Sequence, residues 1–377
     1  MNNSKIKIMF FCPSLSRGGA EKHFARLIQN LNNERFEKIL VTSRSENQYI
    51  DIINQDEIRV ITLNINCKSS IKALVLSVNP LIRLVNSEKP KAFVSVMDMV
   101  NFISWIVRKL SKHSFKSVYL VQASLLQAIK FQPNFLKQIL YKIMPRIYKN
   151  ADKVIVLSNG VRKEITEKIL NAGDNIVTIH NIGITDNDVV EADQEFHSRK
   201  ARSIICVGRL VKLKGFDLVI KAMVEIVKKF PDATLTFLGS GPEEDRLKEM
   251  TKHLKLEDNV QFEGMVPNPE YYLNRSEVFV LASYLEGFGN VIIEAMASGC
   301  AVIATDCPHG PSEIIEHNNN GILVPIDSSI AIAEAIDELF SNTEKLESIS
   351  KNGYKRAFDF APAKIADQYE EAISSIL

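Results

Sequence analysis

Two glutamates eight residues apart, Glu286 and Glu294, stand in the segment EGFGNVIIEAMASGCAVIATD (286–306), with Gly287 and Gly289 between them. The pattern predicts a helix starting near Asn290, which puts Glu294 in its first turns among Val291, Ile292, Ile293, Ala295 and Met296. A carboxylate on so apolar a segment needs hydrogen-bond donors, and ligand hydroxyls would supply them. The free N–H groups of Gly289, Asn290 and Val291 would face a phosphate at the helix N-terminus. A plainer alternative makes Glu294 a carboxylate favoured by the helix dipole and Glu286 a surface loop residue. The two glycines and the small-residue exit Ala297-Ser298-Gly299 speak against it.

Cations fit the same ligand. In VGRLVKLKGFDLVIKA (207–222), Arg209 and Lys214 bracket a short loop after an apolar run, where ligands of open sheets bind. Arg can fork onto phosphate oxygens and Lys adds a point charge, a pairing suited to a diphosphate. Lys212 reads as solvated. The turn Ser16-Arg17-Gly18-Gly19-Ala20-Glu21 brings two glycines before a helix, as a phosphate-binding turn or an ordinary strand-to-helix turn would. It is not G-x-G-x-x-G, so a dinucleotide fingerprint fails. Gly239 and Gly241 in LGSGPEEDRLKEM (238–250) either line a nucleotide pocket or make a tight turn.

Other chemistries lack their residues. The seven histidines show no ligand spacing, so no metal site is expected. Asp186-Asn187-Asp188 imitates a metal-binding Asp-x-Asp but lies in a polar stretch with no strand around it. There is no Gly-x-Ser-x-Gly elbow, and Cys300 and Cys307 read as core or loop thiols. The five cysteines form no C-x-x-C pair, which suits a reducing cytoplasm. The apolar run from Ile8 to Cys12 is too short for a signal segment, and no stretch of about 18 apolar residues predicts a spanning helix.

The elements that must position these residues alternate. IKIMFF (6–11), KILVTS (38–43), IRVITL (58–63), AFVSVM (92–97), SVYLVQ (117–122), KVIVLS (153–158) and IVTIH (176–180) read as buried strands separated by amphipathic helices such as AEKHFARLIQNL (20–31). A second series follows a polar stretch: IICVG (204–208), ATLTFLG (233–239), NVQFEG (259–264), EVFVLAS (277–283), AVIAT (301–305) and GILVP (321–325). Strand–helix alternation implies parallel, doubly wound sheets, hence an α/β chain of two Rossmann-like domains joined near 181–202. Expected boundaries are 1–184 and 200–360, with a last helix over 361–377. The formal charge of +1 hides a split: 27 Lys/Arg against 13 Asp/Glu over 1–180, and 19 against 32 over 181–377. A basic half suggests an anionic surface. Nucleic acid is the weaker choice, because no binding motif accompanies the charge.

GGAE (18–21), GRLVKLKG (208–215), GSGPEEDRL (239–247) and EGFGNVIIEAMASG (286–299), in this order and spacing, resemble the retaining glycosyltransferases of family 4 over essentially the whole chain. The resemblance implies a GT-B fold of two Rossmann-like domains facing a central cleft. It implies a nucleotide-sugar donor held mainly by the C-terminal domain, an acceptor on the N-terminal one, no metal or other cofactor, and a final helix returning to the first domain. Carried over by position, Arg209 and Lys214 would bind the donor diphosphate, helped by the amides of Gly18 and Gly19. Glu294 would take the ribose and Glu286 the donor-sugar hydroxyls. Gly287, Phe288, Gly289, Asn290 and Val291 would line the sugar and phosphates, and Glu263 to Val266, with Met265, would face the base beside Gly239. DCPHGPSEII (306–315) resembles a variant among cell-surface polysaccharide transferases and favours a UDP-linked hexose or N-acetylhexosamine. The implied activity is retaining transfer to a lipid-diphosphate-linked or other glycan acceptor in polysaccharide or O-antigen synthesis. Its place would be the cytoplasm or the inner face of the membrane.

The chain departs from that family at one point. A His after the middle strand of the N-terminal domain, common among members, is replaced by Gln122, Ala123 and Ser124 in SVYLVQAS (117–124), and His113 comes too early. Gln122 or Ser124 would stand in. A nucleotide-sugar epimerase of the same architecture and a non-catalytic nucleotide-sugar-binding subunit are the rival readings. A glycosidase pairing of the two glutamates is set aside because the resemblance puts Glu294 at the ribose. Finally, KFQPNFLKQILYKIMPRIYK (130–149) carries Lys130, Lys137, Lys142, Arg146 and Lys149 and no acid. It reads either as an interfacial helix on anionic lipid or as a core helix with a basic outer face.

Overall fold

The computed structural model describes residues 5–16, 18–67, 69–124, 135–168, 174–185 and 199–377. Asp186-Asn187-Asp188, Lys130 and Phe131 lie outside them, as do the side chains of Phe135, Leu136, Lys137 and Tyr141. The chain divides into two compact units, Met1–Ile182 with Pro362–Leu377, and Gly183–Ala361.

Every apolar run named above forms a strand. In the first unit β1 (Ile6–Cys12), β2 (Phe36–Thr42), β3 (Ile58–Thr62), β4 (Ala92–Val96), β5 (Lys116–Val121), β6 (Lys153–Val156) and β7 (Ile176–Thr178) make one parallel sheet in the order β3-β2-β1-β4-β5-β6-β7. Its helices are α1 (Gly19–Asn30), α2 (Ser70–Glu88), α3 (Asp98–Leu110), α4 (Phe135–Lys149) and α5 (Asn159–Lys168). Alternation along β1 sorts the layers. Ile8, Phe10 and Cys12 pack with Phe24 and Ile28 of α1, and Met9 and Phe11 pack with Leu74 and Leu81 of α2 and Val100 of α3. Both faces are covered, which is why the strands read as continuous apolar runs.

In the second unit β8 (Lys200–Val207), β9 (Thr234–Leu238), β10 (Val260–Gly264), β11 (Ser276–Leu281), β12 (Ala301–Thr305) and β13 (Ile322–Val324) are ordered β10-β9-β8-β11-β12-β13, again all parallel. Around them lie α6 (Phe216–Lys229), α7 (Glu244–His253), α8 (Asn290–Ala297), α9 (Ser329–Ser341) and α10 (Thr343–Ala357).

The last helix, α11 (Pro362–Ser374), belongs to the first unit. Pro362, whose fixed φ suits a first helical position, opens it, and Ile365, Tyr369 and Ile373 enter the core that holds β1 and α1. His23 of α1 ties this arrangement. Its Nδ1 accepts the Ile182 N–H at 3.0 Å, so its Nε2 carries the hydrogen and donates to Tyr369 Oη at 3.2 Å. Complete burial pushes its pKa down to about 3, keeping the ring neutral.

The basic stretch resolves toward its core-helix alternative. Leu140, Met144, Ile147 and Tyr148 of α4 are buried, whereas Lys142, Arg146 and Lys149 are exposed. The interleaved apolar residues of its described part mostly serve the core, with Ile139, 43% exposed, on the outer side.

Candidate active site

Open parallel sheets bind ligands beyond the carboxyl ends of their strands, where the strand order reverses. In the second unit that point falls between β8 and β11. The loops leaving those two strands carry Arg209 and Lys214 on one side and Glu286 on the other. A left-handed Gly215, φ +60°, closes the first loop; a Cβ there would stand 2.2 Å from the Ala282 carbonyl oxygen. That close approach presses the two loops together.

Lys214 Nζ donates to Glu286 Oε1 at 2.6 Å, and the Ser283 hydroxyl donates to the same oxygen at 2.6 Å. Ser283 is fully buried, and its own carbonyl accepts the hydroxyl of Thr305 at the end of β12. Two donors on one oxygen fix the orientation of the carboxylate. Neither Ser283 nor Thr305 was singled out by sequence; the only signal is a hydroxyl three residues before Glu286. Arg209 is exposed and makes no ion pair among the described residues. It stands as a cation without a protein carboxylate.

Glu294 lies half-buried on the second turn of α8, between buried Ile293 and Ala295. The helix begins at Gly289, φ +97°, with Asn290 and Val291 opening its first turn. Its far end is held by Arg199, whose guanidinium donates to the carbonyl oxygens of Ser298, at 2.7 Å, and Gly299. Phe288 departs from the lining role expected of it. The residue is 1% exposed and its ring packs edge-on against Phe360 at 5.6 Å. Gly310 packs against the backbone of the same residue: a Cβ there would stand 2.2 Å from the Phe288 oxygen.

Gly239 and Gly241 serve close packing. Cβ atoms at these positions would stand 1.9 Å from the Gly208 oxygen and 2.2 Å from the Leu210 oxygen. The loop after β9 is thereby laid on the loop that carries Arg209, and the Leu210 N–H donates to the Ser240 oxygen at 3.0 Å. Beyond it, the Gly239 N–H donates to Gly264 at 2.7 Å, which brings the end of β10 and exposed Met265, beside half-buried Val266, to the same edge.

Gly18 and Gly19 belong to the first unit, where Gly18 caps α1. The turn is crowded by an acid of its own helix. The Glu21 side chain folds back so far that a Cβ on Gly18 would meet its Oε2 at 2.1 Å, and burial raises the Glu21 pKa. The Gly18 N–H itself donates to the Ser16 oxygen at 2.8 Å. Neither substitute for the family histidine is idle: Gln122 exchanges two amide hydrogen bonds with Asn181, at 3.0 and 3.2 Å, and buried Ser124 donates to Glu164. His113 bonds the Pro90 oxygen at 2.9 Å, a structural contact.

One cluster escaped the sequence reading. Asp98 follows β4 directly, after a left-handed Met97 at φ +77°, beside the reversal point of the first sheet. Burial pushes its pKa up to about 6, although the Tyr148 hydroxyl donates to it. Asn101, fully buried, takes the Ser95 hydroxyl at 2.8 Å and donates to Leu120 at 3.1 Å. Among the described residues no group of His, Cys, Asp and Glu is placed to hold a metal ion.

Two family models divide the chain. Residues 17–183 match the model described as Glycosyltransferase Family 4, and residues 190–356 match Glycosyl transferases group 1. An uncharacterized glycosyltransferase of Haemophilus influenzae is 30% identical over 220 residues, 58% of this chain and 60% of that relative, so the match spans less than two thirds of its length. The N-acetylgalactosamine-N,N'-diacetylbacillosaminyl-diphospho-undecaprenol 4-alpha-N-acetylgalactosaminyltransferase of Campylobacter jejuni is 27% identical over 368 residues, 96% of this chain and 97% of that one. Anabaena HepE, crystallised with UDP and glucose, superposes with a TM-score of 0.80 at 21% identity, covering 98% of this chain and 100% of that one; at such identity the likeness speaks for the fold. With a family 4 domain followed by a group 1 domain, on two parallel Rossmann-like sheets, the chain belongs to the GT-B glycosyltransferases.

Proposed function

We propose that this glycosyltransferase moves a hexose or N-acetylhexosamine from a UDP-sugar to a hydroxyl of a lipid-linked glycan, with retained anomeric configuration, in cell-surface polysaccharide synthesis. The carrying observation is the Lys214–Glu286–Ser283 arrangement, which sets a cation for the diphosphate against an oriented carboxylate for sugar hydroxyls. Likeness to a transferase acting on a diphospho-undecaprenol acceptor, and to HepE bound to UDP, supports the substrate classes.

In the reaction the bond between the anomeric carbon and the diphosphate oxygen breaks and its electron pair leaves with UDP. Arg209, Lys214 and the amides opening α8 meet that growing charge, and such preorganised electrostatics is usually the largest catalytic contribution. Glu286 Oε2 holds the sugar through its hydroxyls, and Glu294 takes the ribose. The acceptor oxygen bonds to the anomeric carbon, and its proton passes to the departing phosphate oxygen. No metal takes part in the proposed steps.

The test is a mass-resolved screen of UDP- and GDP-sugars with a polyprenyl-diphosphate glycan acceptor, run on the wild type, Glu286→Ala and Lys214→Ala. Product with wild type and none with either variant is expected. Epimerised donor without acceptor, binding without turnover, or full transfer by Lys214→Ala would each overturn the reading.

A further inference from the structure

We propose that His309, on the loop after β12, is a second contact for the donor sugar beside Glu286, its imidazole donating a hydrogen bond to a sugar hydroxyl. β12 is hydrogen-bonded to β11, so the loops leaving the two strands open at the same edge of the sheet. Contacts on both sides of His309 stitch its loop onto the one that carries Glu286. At the start the Thr305 hydroxyl donates to the Ser283 oxygen. Cys307, 1% exposed, comes so near that burial, and after it the Glu286 carboxylate, push its thiol up to about 12. A Cβ on Gly310 would stand 2.7 Å from the Phe288 Cα as well as 2.2 Å from its oxygen. His309 lies between these anchors. Neighbouring Cα atoms are about 3.8 Å apart, so its backbone stays within a side chain's reach of the 286–288 stretch.

The backbone marks this position. The φ of His309 is +83°, larger than at any other non-glycine residue among those described. A side chain in that region carries strain, which persists where the surroundings hold it and gathers at ligand sites. The left-handed Lys89 is an ordinary cap closing α2, whereas His309 follows a strand at its carboxyl end. The loop places its glycine elsewhere: Gly310 has a negative φ of −132° and is needed for its closeness to Phe288. The position whose conformation suits glycine thus keeps a side chain, and a half-buried one.

Its chemistry complements Glu286. A carboxylate only accepts, so Glu286 takes sugar hydroxyls by their hydrogens, whereas an imidazole always has an N–H to donate. A hydroxyl offers lone pairs besides its hydrogen, and the Lys214 ammonium is already drawn to Glu286 at 2.6 Å. His309 supplies the donor for those lone pairs. A site that hydrogen-bonds a hydroxyl rejects analogues lacking it, so the contact belongs to the choice among sugars and not to the diphosphate. It rests on the donor site proposed above and adds to it a residue that reads the sugar.

The experiment measures calorimetric affinities for UDP, UDP-glucose, UDP-galactose and their two N-acetylhexosamine counterparts, with thermal unfolding and transfer rates. It is run on the full chain as wild type, His309→Gly and His309→Asn. The preferred UDP-sugar should bind His309→Gly about three- to tenfold more weakly, the worth of one neutral hydrogen bond, while UDP binds as before. The thermal midpoint should stay level or rise, because glycine relieves the left-handed backbone. Asparagine tolerates that backbone with a shorter reach, so His309→Asn should show the same selective loss and separate the imidazole from loop rigidity. Unchanged affinity for the preferred UDP-sugar, an equal loss for UDP, or a lowered midpoint with full recovery of binding in His309→Asn would overturn the assignment. A wild type that binds none of the four UDP-sugars would overturn it together with the donor site. Selective weakening in the variants without transfer by the wild type to any acceptor would refute the proposed function alone. Transfer by His309→Gly at the wild-type kcat/KM would refute the contact alone.

Discussion

Ser283→Ala isolates the orientation of Glu286 from its charge. The hydroxyl donates to Oε1 at 2.6 Å in a fully buried position, and Lys214 donates to the same atom at the same distance. A hydrogen bond to a charged acceptor contributes about 1.5–3 kcal/mol. Lys214 remains after the substitution, so no carboxylate oxygen is orphaned and the lower half of that range applies. About 1.5–2 kcal/mol corresponds to a roughly 10–30-fold loss in kcat/KM at about 1.4 kcal/mol per decade. The loss should belong to the sugar, because Glu286 is proposed to meet the sugar and not the nucleotide. Initial rates over a range of UDP-sugar, set beside calorimetric affinities for UDP and for UDP-sugar, separate the two. Transfer should fall and UDP-sugar should bind more weakly, while UDP alone binds as before and the thermal midpoint moves little. Wild-type kcat/KM in Ser283→Ala, or an equal loss of affinity for UDP, would refute the claim that Ser283 aims the carboxylate.

Glu286→Gln should abolish transfer yet tighten UDP binding by about fivefold or more, since it removes a negative charge worth at least about 1 kcal/mol at contact distance from the Lys214 ammonium; weaker UDP binding sinks that sign. Gly215→Ala forces a side chain into a left-handed backbone with 2.2 Å to the Ala282 oxygen, so it should lower stability by about 2 kcal/mol or more and depress activity through the misplaced loop, read by urea unfolding. Asp98→Asn should stabilise the protein above pH 6 by roughly 2–3 kcal/mol, because the folded pKa of Asp98 is raised from its ordinary 3.8 to about 6. The stability of the protonated acid is fully present below pH 3.8 and is lost as pH rises through 6, so the advantage of the variant must grow across that window; a constant difference from pH 4 to 7 counts against it.

The fold was legible because its signal is local. The central parallel strands are buried on both faces and so write themselves as short apolar runs, and the turn after β8 and the Glu286–Glu294 segment carry their glycines where backbones meet. What stayed hidden depends on partners distant along the chain. Ser283 gained its place through Thr305 of β12, and the inward ring of Phe288 answers to Phe360. Asp98 passed unnoticed because nothing local marks a carboxylate whose hydroxyl donor is Tyr148, fifty residues on.

The two helices α2 and α4 show how this limit bears on function. Read alone, α4, with lysines among aromatics, suits an interfacial helix and a core helix with a basic outer face equally well. Folding favours the second. The aliphatics of α4 are mostly buried and leave mainly its basic side to solvent, whereas α2, more apolar than its one packing face requires, has Ile71, Val75 and Leu76 left over. Helical period tells which residues share a face. Which face is inward follows only from the layer packed against it.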